Sequence, residues 1–460
     1  MFRLFCTASL FLLSATPALA EPSSGEESDA IVQPGTGEVV APVLTQEVLT
    51  PIADKALARA VKIRKLEKKT VFASRPTSKD AVEEMLLKRF EEDNLDETYL
   101  KVGRMLRQMG VPGIDDDYGE QVRRVLKENV AGYYDWRSET LFVADWVAPE
   151  AQMMTLVHEI THALQDQHYD LGRFFEPLHG YSEPLVAIQA LVEGDATLAM
   201  MLGAVPEGVS EELVLQGFQS QLSQSQAVDL AASAQEMGVP TFLMQQLYYP
   251  YLVGVSFCLE LYRAGGWERV DLAYGGLPIS SEQVLHPEKF LGEEKDDPVE
   301  VSFALPKRLE KAGWSTEYTD IFGEHGTQNL MRQFRGSDLA DPAAAGWGGD
   351  RVSLLHREGP TGSQDAVLWV SEWDTPGEAA EAHALWMAVS TDTTIAEPRR
   401  PSLVWMKSGG QRLVLAWGVG TTRKEQKTLM KWLHSNSVST TRMHSFEEYR
   451  KLSEQQPLGL

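Results

Sequence analysis

Apolar residues recur at helical spacing along much of the first two thirds of the chain. Over residues 78–109 they recur every three or four positions, after the capping residues Thr77 and Ser78 and before Gly110. This pattern predicts helical structure over the whole stretch. The segment "SEPLVAIQALVEGDATLAMML" is as densely apolar and opens on Ser182, a residue type that caps helices, so we predict a further helix there.

A second long apolar segment, "TFLMQQLYYPYLVGVSFCLELY", covers residues 241–262. Its length approaches the roughly 20 residues that a membrane-spanning helix needs. Gln245, Gln246, Pro250 and Glu260 interrupt it, however, and polar groups are unfavourable inside a bilayer. We therefore interpret this segment as a buried, kinked helix.

Strand patterns occur at two places in the chain. In "AGYYDWRSETLFVAD", aromatic and β-branched residues flank a polar turn, which predicts a β-hairpin, and a helix should follow from Pro149 to about Gln167. From about residue 300, strand-like runs such as "AVLWVSEWD" and "RLVLAWGVG" alternate with helical ones such as "TPGEAAEAHALWMAVS". The sequence therefore predicts an α+β protein, with a mainly helical domain and small β-sheet at 46–298 and a C-terminal α+β module at 299–460.

The first 45 residues have the features of segments that lie outside a folded domain. Arg3, an apolar run and the small-residue site "ATPALA", which ends at Ala20, predict a signal peptide over residues 1–20. Residues 21–45 are rich in Glu, Ser, Gly and Pro and predict a disordered acidic leader. We expect an exported protein, periplasmic or secreted, with no transmembrane segment once the signal is removed.

Composition excludes some classes of function. Of the 460 residues, 43% are hydrophobic and 23% charged, as in globular proteins. The 42 Lys and Arg against 66 Asp and Glu give a net charge of −24, so we expect no nucleic-acid partner, because phosphate binding requires a basic surface. Removal of Cys6 with the signal would leave Cys258 as a single cysteine, which we predict to be a buried thiol rather than a nucleophile.

The segment "TLVHEITHALQDQH" contains the most specific chemical pattern. His158 and His162 are four residues apart, so on a helix they share one face and can direct both imidazoles at one metal ion. Glu159 follows the first histidine, where its carboxylate can take a proton from water at that metal. This is the H-E-x-x-H pattern of zinc enzymes, and it predicts one Zn²⁺ per chain.

At these residues the chain resembles a zincin metallopeptidase. The resemblance implies hydrolysis of peptide or protein substrates by a zinc-activated water, with Glu159 as the general base. In that superfamily an edge strand beside the motif helix holds extended substrate by strand addition. "SETLFVAD", residues 138–145, stands where such a strand would come, although a plain core strand is the alternative interpretation.

Two histidines leave a catalytic zinc one protein ligand short, and two residues are candidates. His168 has the spacing of the third ligand of metzincins, but Gln165 stands where those proteins have a helix-breaking glycine. If the helix continues, His168 lies about 120° away from the ligand face. Glu193 lies on the next predicted helix, and a glutamate there is the gluzincin arrangement; we favour Glu193 and keep His168 as the alternative.

Further segments narrow the resemblance. "HEITHALQDQHYDL", "ALVEGDAT", "YPYLVGVSF", "GGWERVDLAY", "SSEQVLHPEKF" and "AAAGWGGDR" are similar to a group of uncharacterised, exported bacterial proteins identified as gluzincin-like metallopeptidases. The similarity covers roughly residues 120–375, and only the motif helix assigns chemistry.

Other residues are candidates for supporting roles. Zincin hydrolysis requires a donor for the developing oxyanion, and His286 is one candidate, with three tyrosines, Tyr248, Tyr249 and Tyr251, competing for that role. Asp195 is about 200° from Glu193 on its helix, so we expect it to orient a ligand histidine or cap a neighbouring element rather than bind the metal. Two alternatives to a peptidase remain: a non-catalytic binding or scaffold protein with a zincin fold, and another zinc hydrolase.

Overall fold

The computed structural model describes thirteen segments of the chain. They are residues 8–10, 44–149, 152–175, 178–205, 208–209, 213–217, 230–293, 295–359, 362–395, 399–407, 409–419, 422–433 and 438–455. The predicted signal peptide apart from Ala8–Leu10, and the predicted leader apart from its last two residues, lie outside this part of the chain.

The first part of the chain is mainly helical with one small sheet. Its helices are α1 (Gln46–Arg64), α2 (Lys79–Glu92), α3 (Leu95–Gln108), α4 (Tyr118–Asn129), α5 (Gln152–Tyr169), α6 (Glu183–Gly203), α7 (Leu230–Met237), α8 (Thr241–Gly275), α9 (Ser281–Leu285) and α10 (Pro287–Leu291). Its strands are β1 (Ala8–Leu10), β2 (Ala73–Thr77), β3 (Val130–Asp135) and β4 (Thr140–Ala144). Capping side chains start several helices: Ser78 accepts a hydrogen bond from the backbone of Ala81, and Asp117 from that of Glu120.

The helical region predicted over residues 78–109 is two helices, α2 and α3. Asn94, between them, has a left-handed backbone with φ of 50°, a conformation that asparagine tolerates better than most residues. Most apolar residues of α2 and α3 are buried, including Phe90 and Tyr99, whose rings stack at 5.4 Å. Leu87 and Leu100 are exposed, to 53% and 48%.

The predicted hairpin is confirmed as β3 and β4, which pair antiparallel. Of the two interpretations of residues 138–145, the structure shows the core strand and not the edge strand, because β2 pairs with β4 in parallel on the side away from β3. The sheet order is β1-β3-β4-β2, so β4 is a core strand. On the side away from β4, β3 pairs with Ala8–Leu10 from the predicted signal peptide, so the edge strands of this sheet are β1 and β2.

Helix α8 is buried, as predicted. Its path is broken at Gly265 and Gly266, where the backbone is non-helical, whereas Pro250 lies inside a continuous stretch. In the part of the chain that the structure describes, α6 alone is long and apolar enough to cross a membrane by length and composition. In the structure 83% of its most apolar window is buried by other elements, so by its packing α6 is a core helix.

The described residues of the second part of the chain contain seven strands, five of which form its main sheet. Its strands are β5 (Val299–Phe303), β6 (Ser315–Asp320), β7 (Trp347–Gly359), β8 (Gly362–Trp373), β9 (Leu403–Met406), β10 (Arg412–Trp417) and β11 (Val438–Arg442). Its helices are α11 (Lys307–Glu310), α12 (Gly323–Arg335), α13 (Ser337–Ala344), α14 (Pro376–Thr391), α15 (Arg423–Leu433) and α16 (Phe446–Glu454). The main sheet has the order β6-β7-β8-β10-β9, and β5 pairs with β11 separately.

The fold class is α+β, as predicted. The apolar core does not divide at residue 298, because one cluster of buried side chains extends from Val82 in α2 to Tyr449 in α16. Polar contacts also join the two parts. Arg104 of α3, for example, forms a two-point ion pair with Asp365 of β8 and a third contact with Glu317 of β6.

Candidate metal centre

Helices α5 and α6 bring three predicted ligands to one point. His158 Nε2 lies 3.0 Å from His162 Nε2, and each nitrogen lies 3.2 Å from Glu193 Oε2. All three residues are buried. The four-residue spacing on α5 places both imidazoles on the face that α6 covers, so packing of the two helices completes the group.

These separations fit a tetrahedral metal ion. Ligands at about 2.0–2.2 Å from zinc lie about 3.3–3.5 Å from one another, close to the three distances observed. Glu193 Oε1 is buried and has no hydrogen-bond partner among the described residues. A buried carboxylate oxygen without a partner is unfavourable, and a metal ion would satisfy it. His158, His162 and Glu193 therefore form a group able to hold a metal.

The electrostatics of the group favour an ionised carboxylate. Burial lowers the pKa of His162, but the charge and hydrogen bond of Glu193 outweigh burial and raise the pKa to about 9. Burial raises the pKa of Glu193, and the neighbouring histidines outweigh it and lower that pKa below its ordinary value. A deprotonated carboxylate is the form that binds a metal.

Glu159 is fully buried and lies against strand β3. A Cβ on Gly132 of that strand would lie 3.6 Å from Glu159 Cγ and 3.0 Å from the carbonyl oxygen of Phe142. The missing side chain at residue 132 thus lets β3 pass close to the motif helix. β3, rather than the predicted segment 138–145, is the strand that lies against Glu159.

Glycines set the distance between α6 and α8 directly beside Glu193. A Cβ on Gly194 would lie 2.8 Å from the backbone nitrogen of Val255 and closer still to the Gly254 carbonyl. A Cβ on Gly254 would lie 2.9 Å from the carbonyl carbon of Ala190. Only glycine allows the two backbones to approach so closely, and this crossing fixes Glu193 next to α8.

Asp195 does not contact a ligand histidine directly. Its two oxygens accept hydrogen bonds from Arg64, Gln165 and Tyr274. Gln165 is the residue that reaches the ligand, with its Oε1 2.8 Å from His162 Nδ1. Sequence reasoning treated Gln165 only as a helix former, although its position three residues after His162 places it on the same side of α5.

His168, the alternative third ligand, lies away from the group. Its Nε2 is 2.8 Å from the backbone oxygen of Glu67, at the partly exposed end of α5. The helix continues to Tyr169 without a break after His162, so His168 lies on a different face of α5 from His158 and His162.

His286 does not reach the metal-binding group either. Its Nε2 lies 2.9 Å from Glu324 Oε1. Nearby Ser281 donates a hydrogen bond to Glu183 Oε1. Glu183 is ten residues, or about 15 Å of helix, before Glu193. His286 therefore lies beside the second part of the chain, towards the N-terminal end of α6.

Of the three candidate tyrosines, Tyr251 is next to the site. Its ring stacks on His158 with centroids 6.3 Å apart. Tyr248 and Tyr249 instead donate hydrogen bonds to Asn129 Oδ1 and to the backbone oxygen of Ser281, respectively.

A second acidic group has its own counter-charge. Glu282, Asp296 and Asp374 converge closely enough to hold a metal. Lys289 Nζ lies 2.5 Å, 3.0 Å and 2.8 Å from their oxygens, so the ammonium group occupies the position that a cation would take.

Comparison with known proteins matches one segment of the chain to a protein family. Residues 310–426 match the family described as a domain of unknown function (DUF8575). This range covers β6 to β10 and lies outside the metal-binding group. No curated protein and no solved structure matches the chain.

Proposed function

We propose that this protein is a zinc-dependent peptidase that is exported. The observation that carries the proposal is the convergence of His158, His162 and Glu193 at about 3 Å from one another, with Glu159 next to the first histidine. A structural zinc site is usually closed by four protein ligands, often cysteines. Here three ligands leave one position for water or substrate, which favours catalysis over the scaffold alternative.

The residues of the site divide the chemistry between them. A zinc ion, when bound by the two histidines and Glu193, supplies Lewis-acid activation of water and of a carbonyl group. Glu159 accepts the proton of the attacking water on its carboxylate and afterwards donates it to the leaving amide nitrogen.

Tyr251 and β3 are the candidates for holding substrate. Tyr251 lies beside His158, so it replaces His286 as our candidate donor to the developing oxyanion. β3 would become an edge strand if the predicted signal peptide were removed with β1, and an open edge accepts an extended peptide by strand addition. The strand edge favours an extended peptide over a small substrate.

The test uses the protein lacking residues 1–20. Metal content is measured first, and then digestion of an unbiased peptide library with and without a chelator. We expect one zinc per chain and chelator-sensitive cleavage. Glu159→Gln should keep the zinc and lose cleavage by about 10²–10⁴-fold, because an amide cannot accept the proton.

Two outcomes would contradict the proposal in different ways. Stoichiometric zinc in both His158→Ala and His162→Ala would place the metal elsewhere. Zinc bound as expected, with no cleavage of any library peptide, would favour the scaffold protein or a hydrolase of another bond.

A further inference from the structure

His162 is held from behind by a buried amide. Its Nδ1, the ring nitrogen that faces away from the ligand group, lies 2.8 Å from Gln165 Oε1. The other end of that amide, Nε2, donates to the backbone oxygen of Val192 at 3.1 Å and to Asp195 Oδ2 at 2.9 Å. His162, Gln165 and Asp195 are all completely buried, so water does not compete for these bonds.

The two acceptors on α6 fix which way the amide of Gln165 points. A flipped amide would place its oxygen against two other oxygens with no hydrogen between them, and would leave that buried amide oxygen without a donor. Gln165 therefore presents oxygen to His162. Because an amide oxygen only accepts, the hydrogen of this bond must be on His162 Nδ1, and in the neutral ring Nε2 keeps its lone pair.

The amide is held in turn by a buried ion pair. Arg64 Nε lies 2.6 Å from Asp195 Oδ1, and an Arg64 terminal nitrogen lies 3.1 Å from Oδ2. Tyr274 donates to the same Oδ2 at 2.8 Å. Arg64 is the last residue of α1, more than a hundred positions before Asp195, and it is completely buried. With its charge balanced, Asp195 remains an acceptor for Gln165.

We propose that Gln165 is a positioning residue that selects the metal-binding tautomer of His162, and that Arg64 acts on the metal site through Asp195 and Gln165. The proposal rests on the proposed function only in taking zinc as the metal. A zinc-bound histidine commonly has a carboxylate or carbonyl behind it. In this chain a glutamine that is held by an ion pair takes that place, and the cation of that pair, Arg64, comes from α1, outside the two helices that hold the ligands.

The experiment compares Gln165→Met with a matched control, Gln167→Met. Methionine has a similar size and no acceptor for Nδ1. Gln167 lies on the same helix but bonds to the backbone of Lys69 and Thr70 at the surface. The metal-free full-length mature proteins are titrated with Zn²⁺ against a chelator, and with Co²⁺, whose visible spectrum reports the geometry of its ligands.

We expect Gln165→Met to lower zinc affinity by about 10–100-fold and to alter the Co²⁺ spectrum, with Gln167→Met equal to wild type in both. Arg64→Met should lower zinc affinity in the same direction, and Arg64→Lys, which keeps the charge, should recover part of the loss. A urea midpoint for each metal-free variant separates these effects from a loss of folding.

The outcomes are distinguishable. If wild type binds zinc and Gln165→Met binds it equally with the same Co²⁺ spectrum, Gln165 only ties α5 to α6, and this proposal alone is overturned. If wild type binds neither metal, the proposed function fails and this proposal with it.

Discussion

The crossing of α6 and α8 allows a quantitative test of how the site is held. Gly194→Ala would place a methyl group 2.8 Å from the backbone nitrogen of Val255, where ordinary contacts begin at 3.4 Å. The helices must separate by more than about half an ångström, because backbone atoms cannot rotate away as a side chain can. Overpacking of this kind costs about 1–3 kcal/mol.

The gain in helix propensity partly offsets that cost. Alanine is about 1 kcal/mol better than glycine inside a helix. The control is Gly275→Ala at the exposed end of α8, where an added Cβ meets no atom within 4 Å. We expect Gly275→Ala to raise the free energy of unfolding by up to about 1 kcal/mol, and Gly194→Ala to lower it by up to about 2 kcal/mol.

Urea unfolding followed by tryptophan fluorescence measures both variants, and chelator competition measures zinc affinity. Because Glu193 is the neighbour of Gly194, we also expect zinc affinity to fall in Gly194→Ala and to stay unchanged in Gly275→Ala. If Gly194→Ala stabilised the protein as much as Gly275→Ala, the close backbone approach would be refuted.

Three further predictions follow from buried polar groups. Glu193→Ala should weaken zinc binding far more than His168→Ala in a chelator titration; the reverse order would make His168 the ligand. Gln189, one turn before Glu193, is fully buried, and neither atom of its amide has a hydrogen-bond partner among the described residues. Gln189→Met should therefore raise the free energy of unfolding by about 1–3 kcal/mol and shift the urea midpoint upwards. An unchanged or lower midpoint would mean that the amide has a partner. Burial raises the pKa of Glu183 to about 8, so the folded state binds this proton more tightly than the unfolded state does. The free energy of unfolding should therefore fall as pH rises from about 4.5 to 8, by up to about 1.4 kcal/mol per pH unit. Glu183→Gln should flatten that dependence in unfolding curves recorded across this range, and an identical dependence would refute the assignment.

The sequence was sufficient for features that depend on local spacing. The four-residue interval between His158 and His162 and the apolar surroundings of Glu193 both predicted the group that the structure brings together. The hairpin and the alternation of strands and helices after residue 300 were predicted for the same reason, since turn residues and apolar periodicity act over a few positions.

Features that depend on distant contacts were missed or wrong. β2 has the sequence ASRPT, in which a proline and three polar residues hide the strand, so the sequence did not decide between an edge and a core position for β4. Nothing near Arg64 in sequence indicates that it pairs with Asp195, because that pairing joins residues 131 positions apart. His286 shows the converse error: a histidine near prolines in a later segment has no local signal that ties it to Glu324 rather than to the metal.

The apolar core that continues across residue 298 determines which fragments of this protein can fold on their own. The region matched to the domain of unknown function begins after β5, yet β5 and its partner β11 flank that region on both sides along the chain. Asn329, inside the region, donates a hydrogen bond to the backbone of Phe242 in α8. A fragment ending at 298 would expose the apolar surfaces of α3 and α8 that the second part of the chain now covers, and we expect it to aggregate. Limited proteolysis of the intact protein should release no stable half. The matched region is therefore narrower than the packed unit, and we expect the unit of cooperative unfolding to extend beyond residues 310–426.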